Sequence, residues 1–127
     1  MKTILLVEDD PFLTDIYTTK LKEAGFEVEA AEGGEEALEK IRQNNAQRKT
    51  LWPDLMLLDI VLPRIDGWEI LKEIKRDDKL KDLKVIILSN LSQKAEIDKG
   101  MALGAIKYLI KAHYTPSEVV EEIKKIL

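Results

Sequence analysis

Five residues carry the chemistry open to this chain. Glu8 and Asp9 follow one short apolar run, Asp59 sits in a second, Ser89 ends a third and Lys111 ends a fourth. A carboxylate can act as a nucleophile or hold a hard cation, an ammonium neutralises an anion, and a hydroxyl donates a hydrogen bond. Asp59 alone is ambiguous. Its stretch, Leu55-Met56-Leu57-Leu58-Asp59-Ile60-Val61-Leu62-Pro63, is punctuated by Pro53 and Asp54 before it and Pro63 at its end. That pattern suits a strand buried on both faces. An Asp where such a strand finishes starts a turn more often than it does chemistry. The other strand ends decide between the two.

The elements that must position these residues follow from periodicity and punctuation. Residues 3–7 read as a first buried strand, ending in Glu8-Asp9-Asp10 before Pro11. Asp then Pro is a helix-start signal, with Asp10 as cap. Leu13, Tyr17, Leu21 and Ala24 give that helix one apolar face, and Gly25 stops it. Val28 to Ala31 is a second strand. Gly34 opens a second helix with Ala37, Leu38 and Ile41 inward, and residues 43–52 are its end plus a loop. After the third strand, Asp66-Gly67-Trp68-Glu69 resembles a helix cap with Glu at its third position, followed by Ile70, Leu71 and Ile74. A charged loop at 77–83 leads to a fourth strand from Val85 to Leu88. Ser92 is expected to cap a fourth helix carrying Ala95, Ile97 and Met101 to Gly104. Ile106 to Ile110 is the fifth strand, and Thr115-Pro116-Ser117-Glu118 caps a last helix with Val119, Val120, Ile123 and Ile126 inward.

Five strands alternating with five helices imply a doubly wound parallel α/β sheet with helices on both faces. Ligands of such sheets bind at the carboxyl ends of the strands. Glu8, Asp9, Asp59, Ser89 and Lys111 all fall there, and this joint placement displaces the turn reading of Asp59. Three close carboxylates repel unless a cation relieves them. Mg²⁺ (or Mn²⁺) with oxygen ligands fits, and the ammonium and hydroxyl complete a cradle for a phosphoryl group. Asp59 is the carboxylate able to serve as its nucleophile.

Composition narrows the alternatives. The chain has 127 residues, 45% hydrophobic and 35% charged, which suits one folded domain, 1–127, with no second or output domain in view. There is no cysteine, so disulfide and thiol chemistry are excluded. A net charge of −4 argues against direct nucleic-acid binding. No secretory signal or membrane-length apolar run is present, so a cytoplasmic protein without membrane contact is expected.

The motifs Val7-Glu8-Asp9-Asp10, Leu57-Leu58-Asp59, Pro63 with Asp66-Gly67, Leu88-Ser89, Gly104-Ala105 and Tyr108-Leu109-Ile110-Lys111 resemble, over the whole chain, the receiver domain of two-component response regulators. The resemblance implies the CheY-like fold, with strand order 2-1-3-4-5. It implies that Asp59 accepts a phosphoryl group from a phosphohistidine of a sensor histidine kinase or phosphotransfer protein. Asp9 and Asp59 would ligate Mg²⁺, Glu8 through water, with the backbone carbonyl of Val61. Lys111 would contact the phosphoryl group, Ser89 would be the switch hydroxyl, and Tyr108 the aromatic that turns inward. The readout surface would be the fourth helix, fifth strand and fifth helix, facing a downstream protein, an output domain or a phosphorylation-dependent homodimer. Autodephosphorylation is expected, turnover of an external substrate is not.

Three departures bear on this. Ala112 follows the lysine where the family usually has Pro; a cis bond there would cost about 2.5–4 kcal/mol, so trans or an altered loop is expected. Asn90 follows Ser89 where a very small residue is usual, and the apolar Val61 cannot orient an attacking water. Together Asn90 and Val61 suggest a long-lived aspartyl-phosphate. His113 reads as an exposed loop residue, and Trp52 and Trp68 as packing or surface contacts. A dehalogenase-like phosphatase would need an Asp at position 61. A flavodoxin-like binder would need a phosphate loop in place of the acids after the first strand. A pseudo-receiver or other non-phosphorylated binding module would have no use for the intact set.

Overall fold

The computed structural model describes all residues, Met1–Leu127. Its strands are β1 (Thr3–Val7), β2 (Glu27–Ala31), β3 (Leu55–Leu58), β4 (Val85–Ser89) and β5 (Lys107–Ile110). They form one parallel sheet in the order β2-β1-β3-β4-β5. The helices are α1 (Pro11–Glu23), α2 (Gly34–Asn45), α3 (Gly67–Arg76), α4 (Lys94–Ala102) and α5 (Pro116–Ile126), with a 3-10 turn at Lys111–His113.

The sheet divides the core by side-chain parity. Leu5, Val7, Met56, Leu58, Val85 and Ile87 face α2 and α3. Their alternates Ile4, Leu6, Leu57, Ile86, Leu88 and Leu109 face α1 and α5. Successive strand residues point to opposite faces, so β1, β3 and β4, covered on both, are buried throughout and apolar at all but the terminal Thr3 and Ser89. Each fully buried Leu or Ile contributes about 1.5–3 kcal/mol, which makes the register of these strands hard to change.

That register positions the strand ends. Val7 pairs with Leu58, which sets the next residues, Glu8 and Asp59, side by side. Leu58 pairs with Ile87 and Ser89 with Ile110, so Ser89 and then Lys111 follow on the same edge.

Local signals start most helices as expected. Asp10 caps α1, accepting from the N–H of Phe12 and of Leu13. Asp66 accepts from Glu69 N–H, and Thr115 with Glu118 forms a capping box. The fourth helix departs from expectation. Gln93, not Ser92, is its cap, and the Gln93 N–H donates to Glu96 Oε1 at 3.1 Å. Ala95 and Met101 are exposed and Ile97 half-buried, while Gly100 is the only buried residue of α4. At 100° per residue, positions 95 and 97 lie on different sides of a helix, which is why Ile97 is half-buried while Ala95 is exposed. The loop 77–83, read as charged, also buries Leu80 and Leu83. Trp52 lies in the core, and its backbone is clasped by the Asn45 amide, 2.8 Å at the N–H and 2.7 Å at the carbonyl. The one cis bond is Trp52–Pro53, so Lys111–Ala112 is trans.

Candidate functional site

Glu8 is the residue after β1. Its N–H donates to Ala31 O of β2, which turns the side chain under the strand edge, 3% exposed. Its Oε1 accepts from Lys111 Nζ at 2.5 Å and its Oε2 from Asp10 N–H at 3.1 Å. Asp59, 6% exposed, is tethered by its N–H to Val7 O. Its Oδ2 accepts from Lys111 at 2.8 Å and its Oδ1 from Val61 N–H at 3.3 Å. Lys111 therefore bridges two buried carboxylates. Asp9 completes the acidic set and faces solvent. One carboxylate oxygen from each of Glu8, Asp9 and Asp59 lies within 4.8 Å of the others.

Burial governs the electrostatics. It pushes the Glu8 carboxyl above its ordinary range, against the opposing pull of Lys111 and Asp10 N–H. Burial is also the largest influence on Lys111 and by itself lowers it. The hydrogen bonds and charges of Asp59 and Glu8 outweigh that and raise the ammonium's pKa. Three carboxylates and one ammonium leave two negative charges when all are ionised. Oxygen donors with that residual charge match a hard divalent cation such as Mg²⁺, which takes carboxylates and keeps several waters. The residues thus fit the metal.

The sheet brings Ser89 and Tyr108 to the same edge through an intermediary. Ser89 is fully buried, and its Oγ accepts from Leu91 N–H at 3.3 Å. Tyr108, half-buried, donates its hydroxyl to Leu91 O at 2.7 Å. Burial, then the charge of Glu96, raises its phenol. Its ring lies against Gly100, where an added Cβ would stand 3.0 Å from Tyr108 Cδ2 and 2.6 Å from Ile87 Cδ1.

Asp10 is committed to capping α1. Val61 is exposed beside Asp59, as is Asn90 beside Ser89, and His113 is exposed in the 3-10 turn. Two participants escaped the sequence reading. Leu91 joins Ser89 to Tyr108 through its backbone, which no residue type signals. Gly67, read only as a helix start, packs its backbone on that of Asp59 and Ile60; a Cβ there would stand 2.5 Å from Asp59 O.

Comparison with known proteins agrees with this arrangement. The family model described as response regulator receiver domain matches residues 4–124. The DNA-binding dual master transcriptional regulator RpaA of Synechocystis is 32% identical over 126 residues, covering 99% of this chain and 48% of RpaA. This chain spans about half the length of the curated relatives it matches. The response regulator TrrA of Thermotoga maritima, solved in complex with Mg²⁺-BeF, superposes with a TM-score of 0.82 at 37% identity, covering 100% of both chains. The chemotaxis protein CheY4 of Vibrio cholerae has a TM-score of 0.86 at 26% identity, covering 100% of this chain and 99% of its own. No helix here is long and apolar enough to cross a membrane. The sheet order, the carboxylate cluster on its edge and these matches converge: the chain belongs to the response regulator receiver domain family.

Proposed function

We propose that Asp59 is the phosphoacceptor of a two-component phosphorelay. A carboxylate oxygen of Asp59 attacks phosphorus of a phosphohistidine on a kinase or phosphotransfer protein. The O–P bond forms, the N–P bond breaks, and the departing imidazole takes a proton from solvent. The observation that carries this is Lys111 Nζ, 2.8 Å from Asp59 Oδ2, with the three-carboxylate cluster beside it. Transfer of a phosphoryl group needs mainly positioning and charge neutralisation, and both are supplied by residues fixed to strand ends.

Asp9 and Asp59, with Glu8 through water and the Val61 carbonyl, would hold Mg²⁺ or Mn²⁺, which would neutralise charge on the transferred oxygens. Lys111 already stands where it can meet them. Ser89 acts as the switch hydroxyl, and Tyr108 follows it through Leu91. The output is a population shift of the α4–β5–α5 surface, read by a protein target or output domain. No external substrate is turned over.

The test is incubation with Mg²⁺ and acetyl phosphate, followed by intact mass measurement. One added phosphoryl group is expected, lost on hydroxylamine treatment and absent in Asp59→Asn. Absence of modification, together with absence of beryllofluoride binding, overturns the proposal in favour of a pseudo-receiver.

A further inference from the structure

The edge of the sheet opposite Asp59 carries a trough between two loops, residues 46–54 ahead of β3 and residues 77–84 ahead of β4. The first loop is clasped at its base. Asn45 Nδ2 donates to Ile41 O and to Trp52 O, both at 2.7 Å, and Asn45 Oδ1 accepts from Trp52 N–H. Trp52 is buried, so the exposed residues 46–50 form a short compact loop with its ends tied together. The second loop is pinned from α3. Lys75 Nζ donates to Lys81 O and Leu83 O, each at 3.0 Å, and Leu80 and Leu83 are buried beneath it. The trough consists of two adjoining cavities of about 440 and 220 Å³, which share Asn45, Ala46 and Lys79.

The chain has a net charge of −4, yet the larger cavity is lined by Arg48, Lys49 and Lys79 against a single acid, Asp82. Most cations of this surface have a carboxylate oxygen within 4.0 Å; these three have none. An unpaired surface cation is ordinarily just solvated. Here all three stand on loops already held by internal hydrogen bonds, so little order has to be created when an anion binds. We infer that the trough is a docking site for an acidic, extended segment of a partner protein, whose carboxylates pair with Arg48, Lys49 and Lys79. Spaced carboxylates can meet the three cations and pass Asp77 and Asp82, whereas a continuous chain of phosphates would set charge against both acids. The trough lies at the amino ends of β3 and β4 and Asp59 at the carboxyl end of β3, so this partner leaves the acceptor free. The inference does not depend on the phosphoacceptor reading.

The test is titration of the full chain with a fluorescein-labelled peptide of alternating Glu and Ser at low ionic strength. Anisotropy follows binding, NMR maps the amide shifts, and a Gln–Ser peptide and tripolyphosphate serve as comparisons. The Glu peptide should bind and the Gln peptide should not, with shifts confined to residues 45–51 and 77–82. Arg48→Gln, Lys49→Gln and Lys79→Gln should each weaken binding about two- to five-fold, as an exposed ion pair allows, and the triple variant at least about ten-fold. Lys94→Gln, at the start of α4 on the other edge, should leave it unchanged. Asn45→Ala keeps every charge but releases the loop, and should weaken binding by a similar two- to five-fold. Full binding by a folded Asn45→Ala protein overturns the built site in favour of diffuse attraction; if that variant does not fold, shifts spread over the lysines of all helices overturn it equally. So does absence of binding, or an equal loss in Lys94→Gln. Tighter binding of tripolyphosphate at the same amides overturns the peptide in favour of a phosphate ligand.

Discussion

Replacing Gly67 by Ala tests the geometry that holds the acceptor. The added Cβ would stand 2.5 Å from Asp59 O, 2.6 Å from Ile60 Cα and 2.8 Å from Ile60 Cδ1. Ordinary contact begins near 3.4 Å, so about 1 Å of displacement is required. Two of the three obstructing atoms are backbone, at the end of a strand buried on both faces, and no rotamer change can move them. Overpacking costs about 1–3 kcal/mol when side chains can adjust; with backbone in the way the upper end applies, about 3 kcal/mol. For a domain of this size that is a fall in Tm of about 10 °C. The displacement falls on Asp59 itself, so beryllofluoride affinity should drop as well. Gly33→Ser is the matched control. Gly33 caps α2 with extended backbone, has nothing within 4 Å of its Cβ position, and makes no side-chain cap bond. A serine there supplies the missing acceptor and should stabilise by a few tenths of a kcal/mol. Differential scanning calorimetry of both variants with and without Mg²⁺ and beryllofluoride is sufficient. A Gly67→Ala protein melting within about 2 °C of the wild type would refute the close approach.

Other perturbations report on separate parts of the molecule. Lys111→Met strands Glu8 and Asp59, and breaking a buried pair costs about 3–5 kcal/mol. Glu8 already holds its proton above the usual carboxylate range, so in the variant stability should be highest at low pH and fall as pH rises through the raised pKa. Chemical denaturation at several pH values checks this, and a pH-independent deficit would contradict it. Glu122 is held down to about 2 by Lys107, 2.6 Å away, and by Lys125. Its contribution is present above the unfolded carboxylate pKa, near 4.5, and is lost as pH falls towards 2. Glu122→Gln should therefore flatten the loss of Tm across that window. The aspartyl-phosphate should persist for minutes or longer, because Val61, 58% exposed beside Asp59, offers no side-chain group to orient water. A decay assay showing hydrolysis within seconds would sink that expectation, and Val61→Asn should shorten the lifetime.

The parts of the fold legible in the sequence were those written in runs and caps. Strands β1, β3 and β4 are buried on both faces and therefore apolar at every position but the terminal Thr3 and Ser89, while Asp10-Pro11 and Thr115-Pro116 mark helix starts by chemistry local to the turn. The cap of α4 was misassigned because Ser92 was weighed by type alone. The capping box needs Glu three residues on, and Glu96 satisfies Gln93, whereas position 95 is Ala. The Asn45 clasp on Trp52 joins residues seven apart through an amide, and no turn residue announces it. At the site, residue types and strand-end positions were enough to nominate Glu8, Asp9, Asp59, Ser89 and Lys111. Their pairing was not legible: that Lys111 reaches Glu8 as well as Asp59, and that Leu91 stands between Ser89 and Tyr108, depends on register and loop path.

The missing proline after Lys111 illustrates how far register alone can fix a site. With Ala112 there, a trans bond or an altered loop is expected after the lysine. The bond is trans, and residues Lys111–His113 close into a 3-10 turn with Tyr114 N–H directed at Lys111 O. Yet Lys111 still meets both carboxylates, with only 11% of its side chain exposed. What sets its Cα is the residue before it: Ile110 is paired with Ser89, and β4 is paired in turn with β3. The chain after Lys111 can change path without moving the ammonium, provided β5 keeps its register. Variation at Ala112 should therefore act on the turn and the start of α5, while the meeting of Lys111 with Asp59 depends on the sheet.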